Sequence, residues 1–133
     1  MSGPIMDRID IWLEVDRVLP ADLSGESDGE SSESFRVQVA RARVAQKERF
    51  QKHGRNLLRN SEMSARDLAT MIILDNQTRQ TLNLAAERLG LSPRVYHRMI
   101  KVARTIADLE GSEEIKNHHI LEAIEYRPKK FDV

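Results

Sequence analysis

The chain contains no cysteine, which excludes a disulfide framework and a thiolate zinc site. No apolar run reaches the roughly 20 residues needed to span a bilayer, and no signal peptide opens the chain. The expectation is a soluble, cytoplasmic protein with no membrane partner. Neither GxxxxGKS nor GxxxxGKT occurs, so the loop that cradles nucleotide phosphates is absent from these residues, as is any Ser/His/Asp or paired-carboxylate signature. An excess of one charge is also missing: 21 Lys and Arg balance 21 Asp and Glu, so overall charge argues for neither nucleic acid nor an anionic surface as partner.

At 133 residues the chain is long enough for one domain with a single core. Its charges are unevenly placed. Between Asp7 and Glu33 nine acids face only Arg8 and Arg17, whereas from Arg36 to Arg59 eight basic residues face only Glu48. Inside the acidic part, LSGESDGESSES is too poor in apolar residues to offset the entropy of ordering and reads as a mobile linker. Ahead of it, SGPIMDRIDIWLEV carries a run from Ile9 to Val15 rich in Ile, Trp and Val. That run predicts a β-strand, yet nothing precedes it to pair with, and an unpaired strand cannot satisfy its backbone groups. The expectation is that its partners belong to sequence further upstream.

The remainder predicts helices. Ser32 to about His53 has no Pro or Gly, and Phe35, Val39, Ala42 and Phe50 recur on one face of a long helix closed near Gly54. SEMSARDLATMIIL offers Ser64 as N-cap with Asp67 three residues on, a capping-box spacing. DNQTRQTLNLAAERLGL has Asp75 as cap and Gly90 as stop. SPRVYHRMIKVARTIADLEG has Ser92 at the cap, Pro93 at the first helical position, a stripe of Val95, Met99, Val102, Ala103, Ile106 and Leu109, and Gly111 as stop. Asn117 is the expected cap of a last helix that ends before Pro128, and the tail KKFDV is expected to be loose. The fold class is therefore all-α, a bundle of about four to five helices preceded by one orphan strand.

Few residues carry chemistry. The basic residues of the long helix, Arg41, Arg43 and Lys47 among them, are candidate nucleic-acid contacts. They are equally the solvated side of an amphipathic helix, a reading favoured because no aromatic residues interleave for base stacking. His118 and His119 are adjacent, point to different faces of a helix and are poor joint metal ligands, so they read as exposed or capping histidines. Arg94 stands at the second position of its helix, where the macrodipole disfavours a cation. Either it is an exposed arginine at a cost of a few tenths of a kcal/mol, or it completes an anion site at the helix N-terminus. Arg8 carries the same ambiguity beside Asp7.

The order and spacing of GPIMDRIDI, FRVQVARARVAQKERF, SPRVYHR, KVARTIADLEG and EAIEYR resemble the C-terminal part of magnesium-chelatase-like AAA+ ATPases, most of all their ComM-type competence branch. The resemblance covers nearly the whole chain. It implies that residues 1–16 are the end of a nucleotide-binding core, 17–32 a linker, 33–127 the helical lid and 128–133 a tail, with Met1 an artificial start. By resemblance, the strand belongs to a sheet of that core, Arg8 matches the arginine finger that reaches a neighbouring subunit's nucleotide in trans, and Arg94 matches the sensor-2 arginine. The resemblance further implies a hexameric parent that uses ATP and Mg2+, works on DNA in branch migration during natural transformation, and contacts this lid through its own core and neighbouring subunits. With both Walker motifs missing, this chain is expected to be inert as an ATPase and to bind neither cofactor tightly. The alternatives are the lid of a chelatase-type motor for metal insertion and a stand-alone helical DNA-binding module.

Overall fold

A computed structural model describes residues 3–25 and 29–128. Met1 and the KKFDV tail lie outside the described residues, as does the middle of the expected linker. Among the described residues there are seven α-helices and one 3-10 turn and no strand. Two single-turn helices, α1 (Gly3–Met6) and α2 (Pro20–Leu23), precede α3 (Ser32–Lys52), the 3-10 turn (Asn60–Glu62), α4 (Ala65–Met71), α5 (Asn76–Leu89), α6 (Pro93–Glu110) and α7 (Asn117–Glu125). None is long and apolar enough to cross a membrane.

The helix boundaries follow from local chemistry. Ser64 accepts the Asp67 N–H at 3.1 Å while the Asp67 carboxylate accepts the Ser64 N–H at 2.9 Å, so the capping box at α4 is reciprocal. Asp75 caps α5 through the Thr78 N–H at 2.6 Å, and Ser92 caps α6 through the Val95 N–H at 3.3 Å. Gly90 and Gly111 take φ of 61° and 80° at the ends of α5 and α6, a left-handed turn that a Cβ would strain. The start of α7 differs from expectation: Lys116, not Asn117, is the cap, and its N–H donates to Nδ1 of His119 at 2.9 Å.

Helix α6 is central, packing on α3, α4, α7 and the 3-10 turn, while α5 packs on α7. The core holds Phe50, Leu68, Leu82, Met99, Ala103 and Ile120. Two expectations are corrected here. The α3 face expected from Phe35 to Phe50 is buried only at Ala42 and Phe50, with Gln46 between them. At 21 residues, about 31 Å by the α-helical rise, α3 outruns the bundle, and Phe35 and Val39 stay near half exposed. The second correction is the orphan strand. Residues 9–19 have no regular structure, because no strand among the described residues completes a ladder with them. One backbone bond instead ties this stretch to the bundle, from the Trp12 N–H to the Tyr126 carbonyl at 2.7 Å.

Candidate functional site

The apolar stripe of α6 divides between two environments. Met99 and Ala103 enter the core, whereas Val102, Ile106 and Leu109 floor a surface cleft of about 660 Å3 beneath residues 8–13. Arg8, Arg94, Arg98 and Lys101 line this cleft, against the carboxylates of Asp10 and Glu122. The two arginines singled out in the sequence are thus brought together. Arg94 is the second residue of α6, and Arg8 follows α1. Both are exposed, and neither guanidinium has a hydrogen-bond or ion-pair partner among the described residues. Four cations and the positive end of an 18-residue helix make the cleft electropositive. Each unengaged guanidinium fork is suited by its chemistry to the oxygens of a phosphate-type anion.

The other two cations are engaged. Arg98 Nε lies 2.9 Å from Asp10 Oδ1 and its Nη1 donates to the Ile9 carbonyl at 3.0 Å, while Lys101 Nζ donates to the Ser61 carbonyl at 3.2 Å. Tyr126, on the far rim, donates its hydroxyl to Glu122 at 2.8 Å, and that carboxylate pushes the phenol up from its ordinary value.

Arg41, Arg43 and Lys47 are exposed on α3 but do not form one stripe. At about 100° per residue, Arg41 and Arg43 are roughly 160° apart around the axis. Arg43 is occupied by Gln46 at 3.2 Å, and Arg41 faces a different depression shared with Glu48, Lys52 and His53.

A polar joint that sequence reasoning missed lies between α3 and α6, beside the depression that Arg41 faces. Asp108 is almost fully buried and receives Arg104 at 3.1 Å, Asn60 at 2.9 Å and Arg49 from α3. Arg104 spends its other donors on the carbonyls of Glu113 at 2.8 Å and Ser112 at 2.6 Å. Burial pulls the Arg104 guanidinium down from its ordinary value, and Asp108 opposes that pull. The signal for the joint was the polar pair Arg104 and Asp108, one turn apart on an otherwise apolar helix.

Glu110, His118 and His119 form a second cluster, with ligand atoms within 4.8 Å of one another. His118 Nε2 lies 2.9 Å from the Glu110 carboxylate, and His119, fully buried, hydrogen-bonds the same oxygen through Nε2. These bonds, His118 first, hold Glu110 below the usual carboxylate range. A neutral imidazole carries one N–H. Since His119 Nδ1 accepts from Lys116, its proton is on Nε2 and is donated to Glu110. A metal at Nε2 would require both nitrogens to be bare, so the cluster is a staple between the end of α6 and the start of α7.

The described residues form an all-helical bundle with an exposed arginine at the start of its central helix, and the sequence comparisons place that bundle in a family. The family described as magnesium chelatase, subunit ChlI C-terminal, matches residues 29–127, and the chain belongs to that family. Its sequence is 40% identical over 128 residues to the competence protein ComM of Haemophilus influenzae, covering 96% of this chain and 24% of that protein. It is 36% identical over 128 residues to the uncharacterized protein YifB of Salmonella typhimurium, with the same coverage. An uncharacterized protein of Mycobacterium tuberculosis is 32% identical over 127 residues, covering 96% of this chain and 25% of that relative. The chain thus spans about a quarter of the length of the curated relatives it matches.

Proposed function

We propose that this chain is the lid of a magnesium-chelatase-like AAA+ ATPase of the ComM type, which converts the phosphate state of a bound nucleotide into movement of a helical domain. The observation that carries the reading is Arg94: an exposed guanidinium without a partner among the described residues, at the N-terminal end of the helix on which the bundle is built. A force on Arg94 is delivered to α6 and from there to α3, α4 and α7, because α6 packs on each of them. In this reading the parent supplies ATP, Mg2+ and the hydrolytic water. Arg94 engages phosphate oxygens of its own subunit's nucleotide, and Arg8 serves as the finger of a neighbouring subunit in a homo-oligomeric ring. A guanidinium suits both roles because it holds its charge and offers two parallel donors as negative charge spreads over the transferred oxygens.

The similarity to the competence protein ComM supports a role in competence; within that role we propose a motor acting on DNA, in branch migration during natural transformation. A chelatase-type motor for metal insertion is the second reading, supported by the family match. The scattered basic residues of α3 weigh against a stand-alone DNA-binding module.

The two arginines are separated by a mixing experiment in the full-length parent. Subunits with Arg8→Ala, mixed with Walker-defective subunits, are expected to regain ATP turnover, because the defective subunit donates the finger. Subunits with Arg94→Ala in the same mixture are expected to stay inactive, since the lesion sits in the only site that can bind and hydrolyse. Rescue of both, or of neither, would overturn the assignment.

A further inference from the structure

We propose that the buried joint of Arg49, Asn60, Arg104 and Asp108 is an orientation key, which holds α3 at one register and one angle on α6. Apolar contact between the two helices is too sparse to do so. Helix α3 buries only Ala42, Gln46 and Phe50, and two apolar side chains, one of them a methyl group, do little to oppose sliding or tilting. The polar contact is directional. The Arg49 fork reaches both oxygens of Asp108, one arm at 3.2 Å, and the same arm donates to the Asn60 side-chain carbonyl at 3.3 Å. Asn60 in turn gives its amide to Asp108 at 2.9 Å and to Thr105 at 3.0 Å. Asp108 and Asn60 are 3% and 2% exposed, so water cannot replace a donor that a shifted helix would withdraw. A slip of α3 by one residue moves the guanidinium about 1.5 Å along the axis and turns it by about 100°, and both Asp108 oxygens then lose their partner from α3.

The joint holds two cations and one carboxylate. Removing Arg49 therefore leaves Arg104 and Asp108 as a matched pair, with Arg104 still held by the carbonyls of Ser112 and Glu113. Loss of Asp108 strands a buried cation, whereas loss of Arg49 cuts the tie between the helices and strands no charge. Orientation and folding can thus be separated. Every residue of the joint lies within the stretch that the family match covers, so the key is complete inside the bundle. Ahead of Ala42, α3 is exposed on all sides, and the direction of this free arm is set at the joint. Movement of α6 reaches the arm at a fixed angle. That this movement starts at Arg94 rests on the function proposed above, whereas the key itself does not. Arg49 is a positioning residue, since it acts on α3 and touches no nucleotide.

Because the chain has no cysteine, spin labels can be placed at chosen positions alone. Ala40 on α3 and Glu125 on α7 are exposed and stand outside the joint, and α7 packs on α6. Pulsed electron paramagnetic resonance on Ala40→Cys with Glu125→Cys, without nucleotide, reads the placement of α3. The key predicts one narrow distance distribution. Arg49→Met is expected to widen it by roughly 5 Å, one helical pitch, as α3 samples the neighbouring register, with helix content by circular dichroism unchanged. Arg49→Lys, a milder lesion that keeps the charge and loses the fork, is expected to widen it too, so the outcome does not depend on the methionine variant. Phe50→Leu, which trims the apolar contact, is expected to lower the melting temperature and leave the width as it was. A broad distribution with Arg49 in place, an unchanged width in either Arg49 variant, or equal widening in Phe50→Leu would overturn the key. Turnover of Arg94→Ala in the full-length parent decides the sensor, so the two assignments fail on different signals.

Discussion

Arg49 on α3 and Asp108 on α6, 59 positions apart in the sequence, are joined by both arms of the Arg49 guanidinium, one of them at 3.2 Å. The same carboxylate receives Arg104, so one buried anion pairs with two cations and ties the longest helix to the central one. Asn60 donates to that carboxylate and to Thr105 at 3.0 Å and accepts from Arg49 at 3.3 Å, which leaves no member of the joint unpartnered. Removing Asp108 would strand Arg104, whose side chain is 4% exposed. Asp108→Ala is expected to destabilise the bundle by about 3–5 kcal/mol, measured as a shift in the urea midpoint. A loss below about 1 kcal/mol, the range of a surface pair, would contradict the joint.

Acid is expected to weaken α4 at its cap. Hydrogen bonds from Ser64, first from its backbone, and from Arg55 hold the Asp67 carboxyl down at about 2, against an ordinary value of 3.8. A group whose folded value is depressed stabilises the fold above its unfolded value and loses that contribution as pH falls through the folded one. The stability held by Asp67 is thus complete above about pH 4 and declines between 3.8 and 2. Urea midpoints measured across this range should fall less steeply in Asp67→Asn than in the wild type. Parallel curves would show that the capping box is not the acid-sensitive element.

The staple of Glu110, His118 and His119 predicts a tautomer. His119 should carry its proton on Nε2 at neutral pH, visible as a long-range nitrogen–proton coupling pattern in 15N spectra, because Nδ1 accepts from Lys116. Stoichiometric Zn2+ should leave the melting temperature unchanged. A protonated Nδ1, or a marked rise in melting temperature with zinc, would turn the staple into a metal site.

Binding of the isolated chain to duplex DNA should be no tighter than the non-specific range, roughly 10⁻⁴–10⁻⁶ M at physiological salt. Arg41 and Arg43 face different sides of α3, so the two cannot follow one phosphate backbone together. Tighter binding with a steep salt slope, abolished by charge reversal at Arg41, Arg43 and Lys47, would assign α3 to DNA.

The helices and their ends were legible in the sequence because caps are local. Ser64 with Asp67, Asp75, Ser92 with Pro93, and the left-handed Gly90 and Gly111 each act within one turn of where they stand. Long-range pairing was not legible. The burial of Asp108 depends on Arg49, and that of His119 on Glu110, and no periodicity within one helix shows either. The α6 stripe read as a single apolar face because hydropathy cannot distinguish a residue in the core, such as Met99, from one beneath a docked segment, such as Val102. The run from Ile9 to Val15 has strand composition, and β propensity describes a half-buried pleated surface that the described structure does not supply. Of the candidate site, Arg8 and Arg94 were both singled out in the sequence, but their meeting in one cleft with Arg98 was not.

The central claim is that Arg94 reads nucleotide phosphate and drives α6. The most direct measurement is ATP turnover and ATP affinity of Arg94→Ala in the full-length parent, with Arg94→Lys alongside it. The account predicts a fall in kcat on the order of 10²-fold for the alanine variant, a smaller fall for lysine, which keeps the charge but loses the fork, and an unchanged melting temperature for this chain carrying either substitution. Turnover in Arg94→Ala at the wild-type rate would contradict it.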